Sequence, residues 1–584
     1  IPLNDPYGGW VLWSQVPTEM LQRAEVVRGG GSGVWGNLAL SGVVHLITLP
    51  PSDDHLRLAA TAGEHATWET TASWGDAGPK TAGWLGGSAA DTDGYYVVRE
   101  DFRGEVDRRQ AKRSVNLLGR LTRQAGGRSA VRLGGGYFDE DREKETYGGF
   151  GGNEAASLSV AFDHVDGGGG SWELRAFGRR SDWQNFVTSV ALDRDSERPS
   201  NFTFDQPSDF VGIGGLWTRA VGGRHSVQAG GDWQSIDIER TNDSGYRDGA
   251  FTRRNLAEGS QRLAGVFAQE IYSPTPRWTL FAAARIDRIR SSDGRIRSTD
   301  LTTGEPTRDE SWDAHTETTF NPNLGFVVET SSRTRVRGAA YTGFRAASPS
   351  ELFVGFRQAG NIAVEANPDL APETLTGFEL GADVGSGSPY FGRATVFWND
   401  VEDLILPVTV ATVGPDGGFV FPCGFIGPAG ECHQRQNLGE VRTVGLEVEG
   451  EVRPSRAWRL GLSAMLIDSE VRSAPDPRLV GNRLPRVPEE RLSLRVAYRP
   501  AGGPQVELRT RYLGERWSDD RNTYLIADAW VTDLAASFAV GGGTLLFAGV
   551  ENLFDEEVEV EVRPTVVRVG APRRFHAGVR LTAR

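Results

Sequence analysis

Two cysteines, Cys423 and Cys432, lie in the stretch FPCGFIGPAGECH with His433 beside the second. They could close a disulfide or, with His433, hold a metal. Two thiols and one imidazole with no further Cys or His nearby make a poor zinc set. In an oxidising exterior loop a disulfide is the stronger expectation, worth roughly 2–3 kcal/mol for so short a loop in the chain-entropy description. The acids Asp139, Asp141, Glu143 and Glu145 suggest a calcium loop, but Lys144 stands where such a loop needs Gly at its sixth position. A solvated loop is expected there, with loop calcium as the rival. Gly31, Gly33 and Gly36 spell G-x-G-x-x-G, with Asp53 downstream. A dinucleotide site needs a helix next, to receive phosphate at its N-terminus. The segment after the glycines, Ser41-Gly42-Val43-Val44-His45-Leu46-Ile47, is strand-like instead. No Ser/His/Asp set, paired-carboxylate motif or P-loop stands out, so no catalytic residue, resident metal or cofactor is expected and the chain does not read as an enzyme.

The elements that carry these residues are strands. The chain has 584 residues, with 74 Gly and 16 Trp but only 2 Cys and 2 Met. Abundant Gly with aromatics in many short segments favours β-structure with tight turns. A net charge of −14 disfavours nucleic acid as a partner. Mean hydropathy is −0.37, and no apolar run reaches the roughly 18–20 residues of a membrane helix. A β-barrel would also show a low average, because only every second residue meets lipid.

Alternation is strict in several segments. Val444, Leu446, Val448, Gly450 and Val452 oppose Gly445, Glu447, Glu449 and Glu451. Val506, Leu508, Thr510 and Tyr512 oppose Gln505, Glu507, Arg509 and Arg511; the segments from Arg491 and from Arg574 repeat the pattern. Side chains alternate between faces of a strand, so each segment has one apolar and one charged face. The segments run about 9–11 residues, the length of a tilted strand across a bilayer.

Short turns recur from end to end: Gly75 to Pro79, Gln124 to Arg128, Asp166 to Ser171, Val221 to Arg224, Ser273 to Arg277, Thr330 to Arg333, Gly385 to Pro389, Pro454 to Arg456, Pro500 to Pro504 and Gly541 to Gly543. Between them lie long polar stretches, among them Arg290 to Glu317, Arg345 to Glu373, Glu402 to Gln436 and Glu470 to Glu489. Ten tight turns alternating with long loops imply a transmembrane antiparallel barrel of about 22 strands, the size of the plugged outer-membrane transporters. A soluble β-propeller, carbohydrate-binding or hydrolytic, is the rival architecture; its repeats should be more even and its strands shorter.

The first fifty residues carry a resemblance. VPTEMLQRAEVVRGGGSGVWGNLALSGVVHLIT (Val16 to Thr48) resembles the C-terminal half of the plug of TonB-dependent receptors, with Glu25, Arg28, Gly29, Ser32, Gly36 and Gly42 as its motif positions. GFRAASPSELF (Gly343 to Phe353), NPDLAPETLTGFELG (Asn367 to Gly381), GVENLFDEE (Gly549 to Glu557) and GAPRRFHAGVRL (Gly570 to Leu581) are similar to the family's later strands. Gly30 replaces the usual Pro, Trp35 the usual Tyr, and Arg584 a terminal aromatic. IPLNDPYGGW reads as the middle of a domain; no signal peptide, first half of the plug or TonB-binding box precedes it in this sequence.

The resemblance implies residues 1–50 as the C-terminal part of a plug, residues 51–584 as a receptor barrel, and a place in the outer membrane of a Gram-negative-type bacterium. It implies active import of a scarce metal chelate, ferric siderophore first and cobalamin next, energised through TonB by β-addition to the box. The expected partners are outer-membrane lipid and lipopolysaccharide, TonB and the chelate, with the barrel a monomer. Expected ligand contacts are Tyr7, Trp10, Trp13 and Trp35 in the plug segment, and Tyr341, Arg345, Phe353, Phe356 and Arg357 in and beside a long loop. A passive channel is the competing function.

Overall fold

The computed structural model describes residues 1–37, 39–50, 55–358 and 361–583. Asp53, downstream of the G-x-G-x-x-G glycines, and the terminal Arg584 lie outside the described residues. Twenty-two long strands form a closed antiparallel barrel. It closes where Arg574–Ala583 pairs with His55–Gly63, in register from Leu56 opposite Ala583 to Gly63 opposite His576. Closure leaves no sheet edge, which is how a sheet satisfies its backbone in hydrocarbon.

All ten tight turns expected from the sequence connect neighbouring strands on one rim. At Val221–Arg224 the two central residues, Gly222 and Gly223, have φ of 59° and 68°. Val221 pairs with His225, so Gly222, Gly223 and Arg224 make the turn, and glycine takes the left-handed backbone at its first two positions without a steric penalty. The opposite rim differs from expectation in part. The strands His225–Arg247 and Ala250–Thr275 run to a two-residue turn at Asp248-Gly249. The expected loop from Arg290 is strand as far as Asp300, and Pro306–Ser311 folds back on it. The expected loop from Glu402 is strand to Thr412 and again from Glu431.

The outer wall is apolar. Leu158, Leu174, Ile213, Val266, Ile286, Phe320, Leu324, Leu380 and Val396 are all exposed on it. A belt of this extent needs a covering, and here hydrocarbon supplies it. Near the short-turn rim the belt ends in aromatic pairs, Trp172 with Trp217, Trp278 with Phe326 and Trp458 with Tyr498, the amphipathic rings expected at a membrane interface. The inner wall is polar: Arg285 is buried and forks between Asp287 and Asp232.

Two things fill the lumen. One is residues 1–50, whose hairpin Leu21–Arg28 and Gly42–Thr48 forms a sheet of its own, separate from the barrel. The other is the long loop after Arg345, with its helix Pro349–Phe353 and a short strand, Ile362–Glu365, that pairs in parallel with Glu431–Gln434.

Candidate ligand-binding site between plug segment and inward loop

The lumenal N-terminal segment is held at several of the positions singled out in the sequence. Arg28 reaches Glu447 and Glu449, each at 2.5 Å, which fixes the charged face of that strand as the inner one. Ser32 is fully buried and its Oγ accepts the Phe344 N–H at 3.1 Å. Asn37 Oδ1 accepts from the Ala346 N–H at 2.8 Å. Gly29 and Gly30 lie on the ring of Tyr341; a Cβ at Gly30 would come within 2.6 Å of Tyr341 Cδ2. Gly36 is left-handed (φ 68°), and a Cβ there would meet the Arg285 guanidinium at 2.8 Å. Glu25 is exposed and pairs with Arg23 of its own strand. Gly42 begins the return strand of the hairpin.

Above these anchors Asp5 organises the first residues. Its carboxylate accepts from the Tyr7 N–H at 3.0 Å, Trp183 Nε1 at 3.2 Å and Ser181 Oγ at 3.3 Å. Burial pushes the Asp5 carboxyl above its usual range, against the opposing pull of these donors and of Arg179. Arg179 in turn donates to Leu3 O and Gln15 Oε1. From Asp5 an aromatic row runs to the wall: Tyr7 on Trp10 at 5.8 Å, Trp10 on Trp183 at 5.5 Å, and the Arg142 guanidinium over Trp183 at 5.2 Å. Trp10 and Trp13 are exposed, Trp13 at 64 %.

The inward loop packs against the same place. Tyr7 (5 % exposed) and Phe353 (2 %) belong to one buried cluster with Phe210, Ile236, Leu263, Phe344 and Leu352. The Phe353 ring rests on Gly259 and Gly294 of adjacent strands, and Trp312 stacks on it at 5.9 Å. Its helix has a capping box: Ser348 Oγ accepts from the Glu351 N–H while the Glu351 carboxylate accepts from the Ser348 N–H. Arg345 donates to Glu373 at 2.7 Å and to Glu351 at 2.9 Å. Burial favours the neutral form of Glu351, but Arg345 and the Ser348 N–H outweigh it and hold the carboxyl below its usual range. Arg435, buried, donates to Ser350 O and Val354 O and lies over the Phe356 ring at 5.1 Å. Arg240 donates to Gly355 O at 2.8 Å.

Arg357 donates to Cys423 O at 2.6 Å, so the loop is tied to the outermost hairpin. There Cys423 and Cys432 are joined, with Cα atoms 5.8 Å apart. The His433 ring instead hydrogen-bonds Glu431 and Thr409. The hairpin tip exposes Phe419, Phe421 and Phe425.

The nine candidate contacts therefore divide. Tyr7, Tyr341 and Phe353 are packed, Arg345 and Arg357 are committed to Glu351, Glu373 and Cys423 O, and Phe356 lies under Arg435. Trp35 is exposed and tilts on His45 of the hairpin. Trp10 and Trp13 are exposed as well. The structure adds Trp183 and Arg142, which lie far apart in sequence and meet only through barrel register. The solvated loop expected at Asp139, Asp141 and Glu143 is strand instead: all three lie within Ser129–Glu143, at the spacing of one face, and that strand is paired on both sides. Among the described residues no cluster of His, Cys, Asp or Glu is arranged to hold a metal.

The comparisons agree with this architecture. The family model "TonB dependent receptor-like, beta-barrel" matches residues 58–553. The iron-regulated outer membrane virulence protein of Vibrio cholerae serotype O1 is 22 % identical over 569 residues, covering 94 % of this chain and 78 % of its own. The ferric yersiniabactin uptake receptor FyuA of Yersinia pestis superposes with a TM-score of 0.76 at 13 % identity, over 97 % of this chain and 85 % of that one. The copper transporter OprC superposes with a TM-score of 0.79 at 16 % identity, over 97 % and 87 %. A closed barrel of twenty-two strands with a lumenal hairpin, matched by that model over most of its length, makes the chain a member of the TonB-dependent receptor family, outer-membrane transporters and receptors rather than enzymes.

Proposed function

We propose that the protein imports a ferric siderophore across the outer membrane, with residues 1–50 as the C-terminal part of the plug, residues 51–584 as the barrel, and TonB as the energising partner of the whole receptor. One observation carries the reading of the ligand. Over the N-terminal segment Trp10 and Trp13 are exposed, Trp10 packs on Trp183, and the Arg142 guanidinium lies over Trp183 and faces Glu140 at 3.4 Å. Flat aromatic faces and a cation suit an anionic chelate with planar ligand groups. The iron-regulated relative and the ferric yersiniabactin receptor support the same substrate class. A protein that works as a monomer in lipopolysaccharide fits this role.

The test is a tryptophan-fluorescence titration of the detergent-solubilised protein with a ferric tricatecholate, a ferric hydroxamate, cobalamin and cupric ion. Saturable quenching by a ferric chelate, lost in a Trp10→Ala, Trp13→Ala double variant, is expected. Saturable binding of cobalamin or copper with no response to either ferric chelate would overturn the iron reading; the copper arm is included because OprC is a copper transporter.

A further inference from the structure

Three arginines on the outer wall stand without an ion-pair partner among the described residues. Arg262 and Arg290 face each other across neighbouring strands, and Arg288 stands one pleat below Arg290 on the same face. All three are exposed. Among the described residues none has a carboxylate within ion-pairing distance, although arginines further out on these strands do: Arg254 pairs with Asp243 and Arg295 with Asp309. A group of acids, Asp209, Asp237, Glu239, Glu258 and Asp293, lies one to two pleats further out. Asp237 accepts from Ser260 Oγ at 2.6 Å and Ser235 Oγ at 3.3 Å, and Asp293 accepts from Ser292 Oγ at 2.8 Å.

Their height on the barrel is specific. Val266, Ile286 and Phe320, opposite one another on three strands, are exposed and lie immediately below them. The interfacial Trp278 marks the other end of the belt on the same strand as Arg288. From Trp278 to Arg288 the strand rises roughly 25 Å, at about 3.3 Å per residue and a tilt of about 40°. That is the full height of a lipid-facing belt, so the three cations lie where the outer-leaflet acyl chains end and head groups begin. Thr316 opposes Arg290 and Thr318 opposes Arg288 on the next strand, adding hydroxyls beside the cations.

We propose that Arg262, Arg288 and Arg290 form a binding site for the phosphates of a phosphorylated glycolipid of the outer leaflet, the lipid A type. Guanidinium groups match phosphate oxygens in paired hydrogen bonds, and the flanking threonines are placed to meet sugar hydroxyls. The acyl chains of the same molecule cover Val266, Ile286 and Phe320. The site fixes a lipid in one place on the wall and is independent of the lumenal ligand.

The experiment is native mass spectrometry of the detergent-solubilised protein titrated with lipid A, with barrel integrity read from the heat-dependent gel shift. An Arg262→Gln, Arg288→Gln, Arg290→Gln variant should bind lipid A on the order of a hundredfold more weakly, about a factor of five per arginine. A control variant, Arg277→Gln with Arg333→Gln on the short-turn rim, should bind like wild type. Dephosphorylated lipid A should not distinguish wild type from the triple variant. Phosphatidylglycerol and inorganic phosphate form the comparison arms. Unchanged lipid A affinity in the folded triple variant overturns the proposal, as does an equal loss in the control variant or equal preference for phosphatidylglycerol.

Discussion

At the scale of single residues, the inward loop depends on two missing side chains. Phe353 fits because Gly259 and Gly294 have none: a Cβ at Gly259 would meet Phe353 Cδ2 at 2.2 Å, and one at Gly294 would meet Cε1 at 2.3 Å. The ring cannot yield, since it is packed in the Tyr7 cluster and under Trp312. Gly294→Ala should therefore destabilise the seated loop by about 1–3 kcal/mol, the usual cost of overpacking. Faster proteolysis within residues 346–372, with the barrel's gel shift intact, is the expected readout. Glu351 sets a pH dependence in the same loop. Its folded carboxyl is held below the ordinary range by Arg345 and the Ser348 N–H against the effect of burial. A depressed folded value means stability that is complete above the ordinary glutamate range and lost as pH falls through the folded value. Hydrogen exchange of Pro349–Phe353, corrected for intrinsic rates, should thus speed up as pH drops below about 4. Glu351→Gln should flatten that dependence and cost about 1–3 kcal/mol at neutral pH by weakening the cap and the Arg345 contact.

At the scale of elements, the strand Glu431–Val452 shows what alternation decides. Val448 sits on the outer face between Ala394 and Ala464 of the flanking strands, while Glu449 turns inward to Arg28. Val448→Arg should cost about 2–4 kcal/mol near the bilayer midplane. Glu449→Gln removes only a lumenal, partly hydrated pairing and should cost at most about 1 kcal/mol. Unfolding by denaturant in lipid vesicles measures both, and similar costs would reverse the assignment of faces. This inside–outside distinction was legible from sequence because hydrocarbon on one side and water on the other force a period of two. The same rule explains the errors on the long-loop rim. Above the belt both faces are wet, so alternation fades from Arg290 to Asp300 although strand pairing continues, and polar sequence there looks like loop. In the N-terminal hairpin, Ser32, Gly36 and Gly42 each answer a close contact. The candidate site was only partly legible: Trp10 and Trp13 stand open, but nothing local marks Phe353 as inward, or joins Trp183 to Arg142. Those depend on which loop enters the lumen and on register across strands.

At the scale of the molecule, the barrel and its contents are separable in energy. The wall closes through its own ladder from His55 to Ala583, and its buried inner cation Arg285 is neutralised by Asp232 and Asp287 without help from the plug segment. The contents attach by side chains at scattered points: Arg28 to Glu447 and Glu449, Ser14 to Glu140, Glu19 to Arg580, and Ser32 to Phe344. Arg28 is half exposed, so Glu447 and Glu449 lose it at small cost, and the buried wall groups Glu140 and the Phe344 N–H gain water once the segment that covers them is gone. Removing residues 1–50 should therefore leave a folded, heat-modifiable barrel in detergent but widen the path through it. In planar bilayers the shortened protein is expected to show stable single-channel conductance several times that of the whole chain. Further removal of residues 346–372 should raise it again, because that loop shares the Tyr7 cluster and fills the lumen beside the plug segment. Conductance that is equally large with residues 1–50 present would mean that the segment does not obstruct the lumen. The passive-channel function would then displace gated import, however well the barrel itself had been assigned.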